Sequence, residues 1–309
     1  MKDSRMPSNC YETLDARFDR LFVSTAALDT LYSGCRWAEG PAYFPAARSL
    51  IWSDIPNDRM LRLDECSGAV SVFRHPAGFS NGNTVDRLGR LVTCEQGNRR
   101  VSRTEIDGTV VALADQFDGR RLNSPNDVVV KSDNSIWFTD PTYGIDSDYE
   151  GHRSNSEQSG NYVYRLEPEE RDLSIVADDF IQPNGIAFSP DERLLYIVDT
   201  GRSHRPDGPA HIRCFSVGGG GKLKHEGVFA DCTVGSFDGL RVDTEGRIWT
   251  SAADGVHCYH PDGTLLGKIR VPEVVANVCF GGPKRNYLFI CGTTSLYGVR
   301  LPVNGVKTF

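Results

Sequence analysis

The sequence contains no run approaching the ~20 apolar residues that cross a bilayer as a helix, which argues against a membrane protein. Its opening stretch, MKDSRMPSNC, lacks the apolar segment of a secretory signal, so a cytoplasmic chain is expected. Basic side chains are in deficit: 34 Lys and Arg face 41 Asp and Glu, a formal charge of −7. A protein that neutralises nucleic-acid phosphates needs the opposite balance, so nucleic acid is not expected as a partner. Nine cysteines are scattered without a CxxC pair, which fits reduced thiols better than a disulfide scaffold or a structural zinc site. The seven histidines show no metal-ligand spacing. Long amphipathic helical stretches are missing as well.

What the chain has instead is punctuation and repetition. Thirty-one glycines and sixteen prolines separate short apolar-alternating runs, the pattern of an all-β chain. One unit recurs: a polar residue, a short apolar strand, a turn rich in Asp, Gly, Asn or Arg, then a second apolar strand. The units open at Glu39, Asn81, Asn126, Asn184, Asp238 and Asn277, at spacings of 42, 45, 58, 54 and 39 residues. Six units of this length predict a six-bladed β-propeller of four-stranded blades. The second strand usually carries a bulky residue (Trp52, Trp137, Tyr196, Trp249 and Phe289, with Val92 the exception), as expected where neighbouring blades pack. The last unit is short, so residues 22–32 are expected to supply its outer strand and close the ring, removing an exposed edge. The whole chain reads as one domain, with residues 1–20 an N-terminal extension.

In a propeller the first strand of each blade lines the central channel, and pseudo-symmetry brings equivalent positions to one level. The six opening residues all carry a side-chain oxygen. Two converging carboxylates repel unless a cation lies between them. Carboxylate and carboxamide oxygens are hard ligands, and the irregular spacing suits calcium best, with Zn²⁺, Mg²⁺ or Mn²⁺ as alternatives. A metal site in the central channel is therefore expected. Such an ion polarises a carbonyl, and either Asp238 or Glu39 can serve as general base on a water. The connections after the second strands lie over this mouth. Two are long, 141–160 and 201–210, and read as walls of a substrate pocket; His152 and His204 fall within them.

The motifs Glu39-Gly-Pro41, Leu122-Asn-Ser-Pro-Asn-Asp127, Ile136-Trp-Phe-Thr-Asp-Pro141, Gln182-Pro-Asn-Gly185 with Ser189-Pro-Asp191, and Phe237-Asp-Gly-Leu-Arg-Val-Asp243 resemble the gluconolactonase, regucalcin and luciferin-regenerating-enzyme family. The likeness runs from about Leu28 to Leu301 and is nearest to bacterial gluconolactonases. The resemblance implies a metal-dependent lactonase on a small-molecule sugar lactone such as glucono-1,5-lactone. It makes Glu39, Asn126, Asn184 and Asp238 the metal set and Asp238 the catalytic base. Asn81, Asn83, Glu95, Asn126 and Tyr143 are expected at the substrate. Alternatives are a paraoxonase-like arylesterase or phosphotriesterase and a non-catalytic calcium- or ligand-binding propeller. The paraoxonase histidine dyad matches Asn81 and Gln96 here, and neither side chain can act as a base. The match of Gly78-Phe-Ser80-Asn-Gly82 to a nucleophile elbow is rejected, because a propeller strand and not a helix follows it.

Overall fold

The computed structural model describes residues 10–307. Six antiparallel blade sheets follow one another along the chain, each built from an inner to an outer strand, in a six-bladed propeller arrangement, with a short two-stranded ribbon, Gln116–Phe117 and Arg120–Arg121, between the second and third. Blade one comprises Ala38–Phe44, Ser49–Asp54, Arg59–Asp64 and Val70–Arg74. The inner strands of the next five are Ser80–Val85, Val128–Val130, Pro183–Phe188, Leu240–Val242 and Val275–Gly281. Strand Asp29–Ser33 pairs with Ser295–Arg300 and provides the outer edge of blade six. The N-terminal segment does more than extend the chain. Tyr11–Thr13 adds a fifth strand to blade five, and Phe18 is fully buried in the core behind it.

Blade packing follows the second-strand pattern. Trp52, Trp137, Trp249 and Phe289 are completely buried, and so is Val92. Each interface between neighbouring blades has its own apolar cluster. Ring closure is made by Tyr43, Trp52 and Leu61 of blade one against Phe289 and Leu296 of blade six. At the channel, the glycine after the polar opener explains how the inner strands come so close. A Cβ on Gly40 would stand 2.0 Å from the Asn81 carbonyl, and one on Gly185 would stand 2.2 Å from that of Asp238. The freed space admits hydrogen bonds from blade to blade: Gly82 N to Asn126 O (2.7 Å), Gly185 N to Asp238 O (3.1 Å) and Gly239 N to Ala276 O (2.7 Å). The polar openers are thus tied to one another through their own backbones.

Candidate active site

All six opening residues reach the channel end that the strands leave. Glu39, Asn81, Asn126, Asn184 and Asn277 are buried, whereas Asp238 keeps some solvent contact. Hydroxyls on the second strands support them from behind. Ser53 donates to the Asn81 carbonyl (2.7 Å) and Thr139 to that of Asn184 (2.8 Å), while Ser251 accepts from the Asp238 N–H (2.9 Å). Glu39 Oε2 accepts from Gly40 N (2.6 Å) and Asn277 Nδ2 (2.9 Å). Asn277 thereby orients Glu39, and its own oxygen is taken by Val278 N at 2.9 Å. Among the described residues the side-chain amides of Asn81 and Asn126 have no hydrogen-bond partner.

The two carboxylates of the ring destabilise each other's charge. Burial, with Asp127 nearby, pushes the Glu39 carboxyl up to about 7. Burial raises Asp238 well above the carboxylate range, with Glu39, Glu150 and Asp127 adding to it. A buried carboxylate pair held in this state is relieved by a cation. Glu39 and Asp238, with amide oxygens from Asn126 and Asn184, form a donor set that fits a hard divalent ion. No group of three or more His, Cys, Asp or Glu side chains converges as a metal cluster among the described residues.

Other expected residues are committed elsewhere. The Asn83 amide donates to the Gly40 and Asn81 carbonyls (2.9 Å each) and accepts from Thr93 Oγ1 (2.8 Å), so it bolts blades one and two together. Glu95 accepts from Arg100 (2.7 Å), Asn98 (2.5 Å) and Ser102, beside a separate pocket lined by Arg74, Phe79 and His152. Ser80 is buried within its strand, with no helix after it, and the nucleophile-elbow motif has no structural counterpart. Tyr143 lies beside the site: Thr200 and Asn184 neighbour its phenol, and Asp238 lies within electrostatic range.

Sequence reasoning gave no role to three groups, and it set Gln96 aside as unable to act as a base. Asp127, buried, and Arg241, half-buried, form an ion pair (3.2 Å) just below the ring, and the Arg241 charge acts on Glu39. Their signal is a break in the repeat, since Asp127 stands where four other blades have glycine. Glu150, on the first mouth insertion, is pushed up to about 7 by burial and by Asp146. Gln96 is fully buried under Gly144, and neither atom of its amide has a partner among the described residues.

Residues 37–294 match the model of the SMP-30/Gluconolactonase/LRE-like region. The chain belongs to this family. It is 28% identical to a gluconolactonase of Zymomonas mobilis, over 95% of this chain and 85% of that one. It is similar to the structure of a gluconolactonase from Xanthomonas campestris, at a TM-score of 0.89 and 38% identity, covering 97% of this chain and 96% of the other. Regucalcin from Agrobacterium tumefaciens, described as calcium-binding, shares the fold at a TM-score of 0.72 and 19% identity, covering 91% of this chain and 95% of that one.

Proposed function

We propose that this family member is a lactonase that opens sugar lactones of the glucono-1,5-lactone type with a divalent cation, Ca²⁺ being the expected ion. The observation that carries the reading is the ring itself: Glu39 fixed by Asn277 and Gly40, with Asp238 half-buried where the other five openers are buried. Relatives named gluconolactonase, pentonolactonase and 6-deoxy-6-sulfogluconolactonase support the substrate class. Glu39, Asn126, Asn184 and Asp238 would hold the cation, which when bound supplies an electrophile for the lactone carbonyl. Asp238 accepts a proton from the attacking water as its oxygen bonds to the carbonyl carbon. The ring C–O bond then breaks, and the proton passes to the departing ring oxygen, leaving an open hydroxy acid. Asn81 and Asn126 offer free amides to the substrate. Asn83 and Glu95 hold the scaffold. All nine cysteines are unpaired, which supports a reducing, cytoplasmic setting, and no helix among the described residues is long and apolar enough to cross a membrane.

A panel of sugar lactones, aryl esters and phosphotriesters, assayed with and without chelator, tests this reading. Lactone opening that disappears on chelation and returns with added Ca²⁺ is expected. Preference for the esters would point to the paraoxonase-like chemistry. Inactivity on all three classes would leave a ligand-binding propeller.

A further inference from the structure

The two mouth insertions are joined by a chain of hydrogen bonds that ends at the site. His204 Nε2 meets Asp146 Oδ2 at 2.7 Å, His204 Nδ1 meets Ser203 Oγ at 2.9 Å, and Ser203 Oγ meets the Tyr143 hydroxyl at 3.0 Å. Asp146 and Tyr143 share one short helix on the first insertion, Tyr143–Asp146, while Ser203 and His204 belong to the second. Gln182 ties the base of the pair by donating to Thr142 Oγ1 at 3.0 Å. Thr200 and Asn184 neighbour the Tyr143 phenol, and Asp238 lies within electrostatic range of it.

Counting hydrogens fixes the direction of these bonds. Ser203 has a single hydroxyl hydrogen, and the Thr200 carbonyl at 2.8 Å can only accept it. The Tyr143 hydroxyl must therefore donate to Ser203 Oγ. His204 Nε2 donates to the Asp146 carboxylate, so the ring spans the two insertions. The phenol hydrogen is engaged, and only lone pairs remain toward the site. A lactone carbonyl and a ring oxygen carry no hydrogen to give such a group. A sugar hydroxyl does.

We propose that Asp146, His204 and Ser203 form a clasp that holds Tyr143 as a hydrogen-bond acceptor for a substrate hydroxyl, so that the mouth selects hydroxylated lactones over bare ones. Ser203, His204 and Asp146 are positioning residues, and the proposal rests on the lactonase reading. The test compares kcat/KM for glucono-1,5-lactone with kcat/KM for δ-valerolactone, which has no hydroxyl. Tyr143→Phe and Ser203→Ala should each lower that ratio about tenfold, chiefly through KM, the scale of one hydrogen bond to a bound substrate. Ser203→Thr, which keeps the hydroxyl, should restore it. A ratio unchanged in Tyr143→Phe and Ser203→Ala overturns the proposal, as does a loss that Ser203→Thr fails to repair in a protein melting like wild type. If wild type opens neither lactone, the lactonase reading has failed, and calorimetric binding of glucono-1,5-lactone decides the clasp separately. Weaker binding to Ser203→Ala than to wild type would support it, and equal binding would overturn it.

Discussion

The two ends of the channel are made by the same six strands and differ in almost every other respect. At one end stand Glu39, Asn81, Asn126, Asn184, Asp238 and Asn277, under two long insertions knitted together by side chains. Only a few residues further along, the strands turn apolar. There Ala42, Val85, Val129, Phe188, Val242 and Phe280 line a cavity of about 140 Å³. The Asp127–Arg241 pair lies where the two regimes meet. The contrast teaches that chemistry here depends on one residue per strand, while the remainder of each strand serves packing. Substitutions at the two ends should therefore separate rate from stability.

Asp238→Asn should have the largest effect. It keeps an oxygen of nearly the same volume but removes the proton acceptor. Turnover with saturating metal should fall by about 10²–10⁴-fold, the range of general-base catalysis. Glu39→Gln removes only a ligand charge, and excess metal should rescue part of its loss. Metal occupancy measured beside the rate distinguishes a lost base from a lost ion. Near-wild-type turnover in metal-saturated Asp238→Asn, together with an unrescued Glu39→Gln, would reverse the two roles.

A second effect follows from the raised carboxyls. Glu39 moves from an ordinary 4.5 to about 7, with burial the leading cause. A carboxyl raised in the folded state prefers its proton there. Metal-free protein should thus be unaffected by this group below about pH 4, and should lose stability as pH rises from about 4.5 through 7. The loss should be on the order of 3 kcal/mol. A divalent cation binds the ionised form, so adding it should raise the melting temperature far more at pH 8 than at pH 4.5. Equal stabilisation at both values would show that the cation acts away from Glu39.

Legibility in the sequence tracked periodicity. The six openers, the glycine behind four of them and the bulky second-strand residues repeat, and each repeat reflects a contact made between blades in the folded chain. Groups without a period were hidden. Tyr11–Thr13 has no counterpart in the other blades, and its pairing is set by an edge that blade five happens to expose. Asn83 and Glu95 look like free polar groups in one dimension. Only the third dimension supplies the Gly40 carbonyl and Arg100 that engage them. Asp146, Ser203 and His204 are loop residues some 60 positions apart, and nothing in either insertion predicts that they meet.

Phe188→Ala is the smallest effect and the sharpest test of the separation. Phe188 ends the inner strand that Asn184 begins to open, and its ring meets Trp137 edge-on at 5.4 Å. Truncation enlarges the cavity, and because the ring is only half-buried the cost should be about 1–2 kcal/mol, below that of a fully buried phenylalanine. Asn184 is anchored independently, through its carbonyl by Thr139 at 2.8 Å and through the Gly185 N–H bond to Asp238 at 3.1 Å. Thermal unfolding should therefore move downward while kcat and KM stay within about twofold of wild type, since no bond to the ring changes. A drop in kcat at temperatures where the variant is fully folded would show that the far end sets the geometry of the near one. In that case the Asp127–Arg241 pair, which contacts both regimes, would be the first place to look for the coupling.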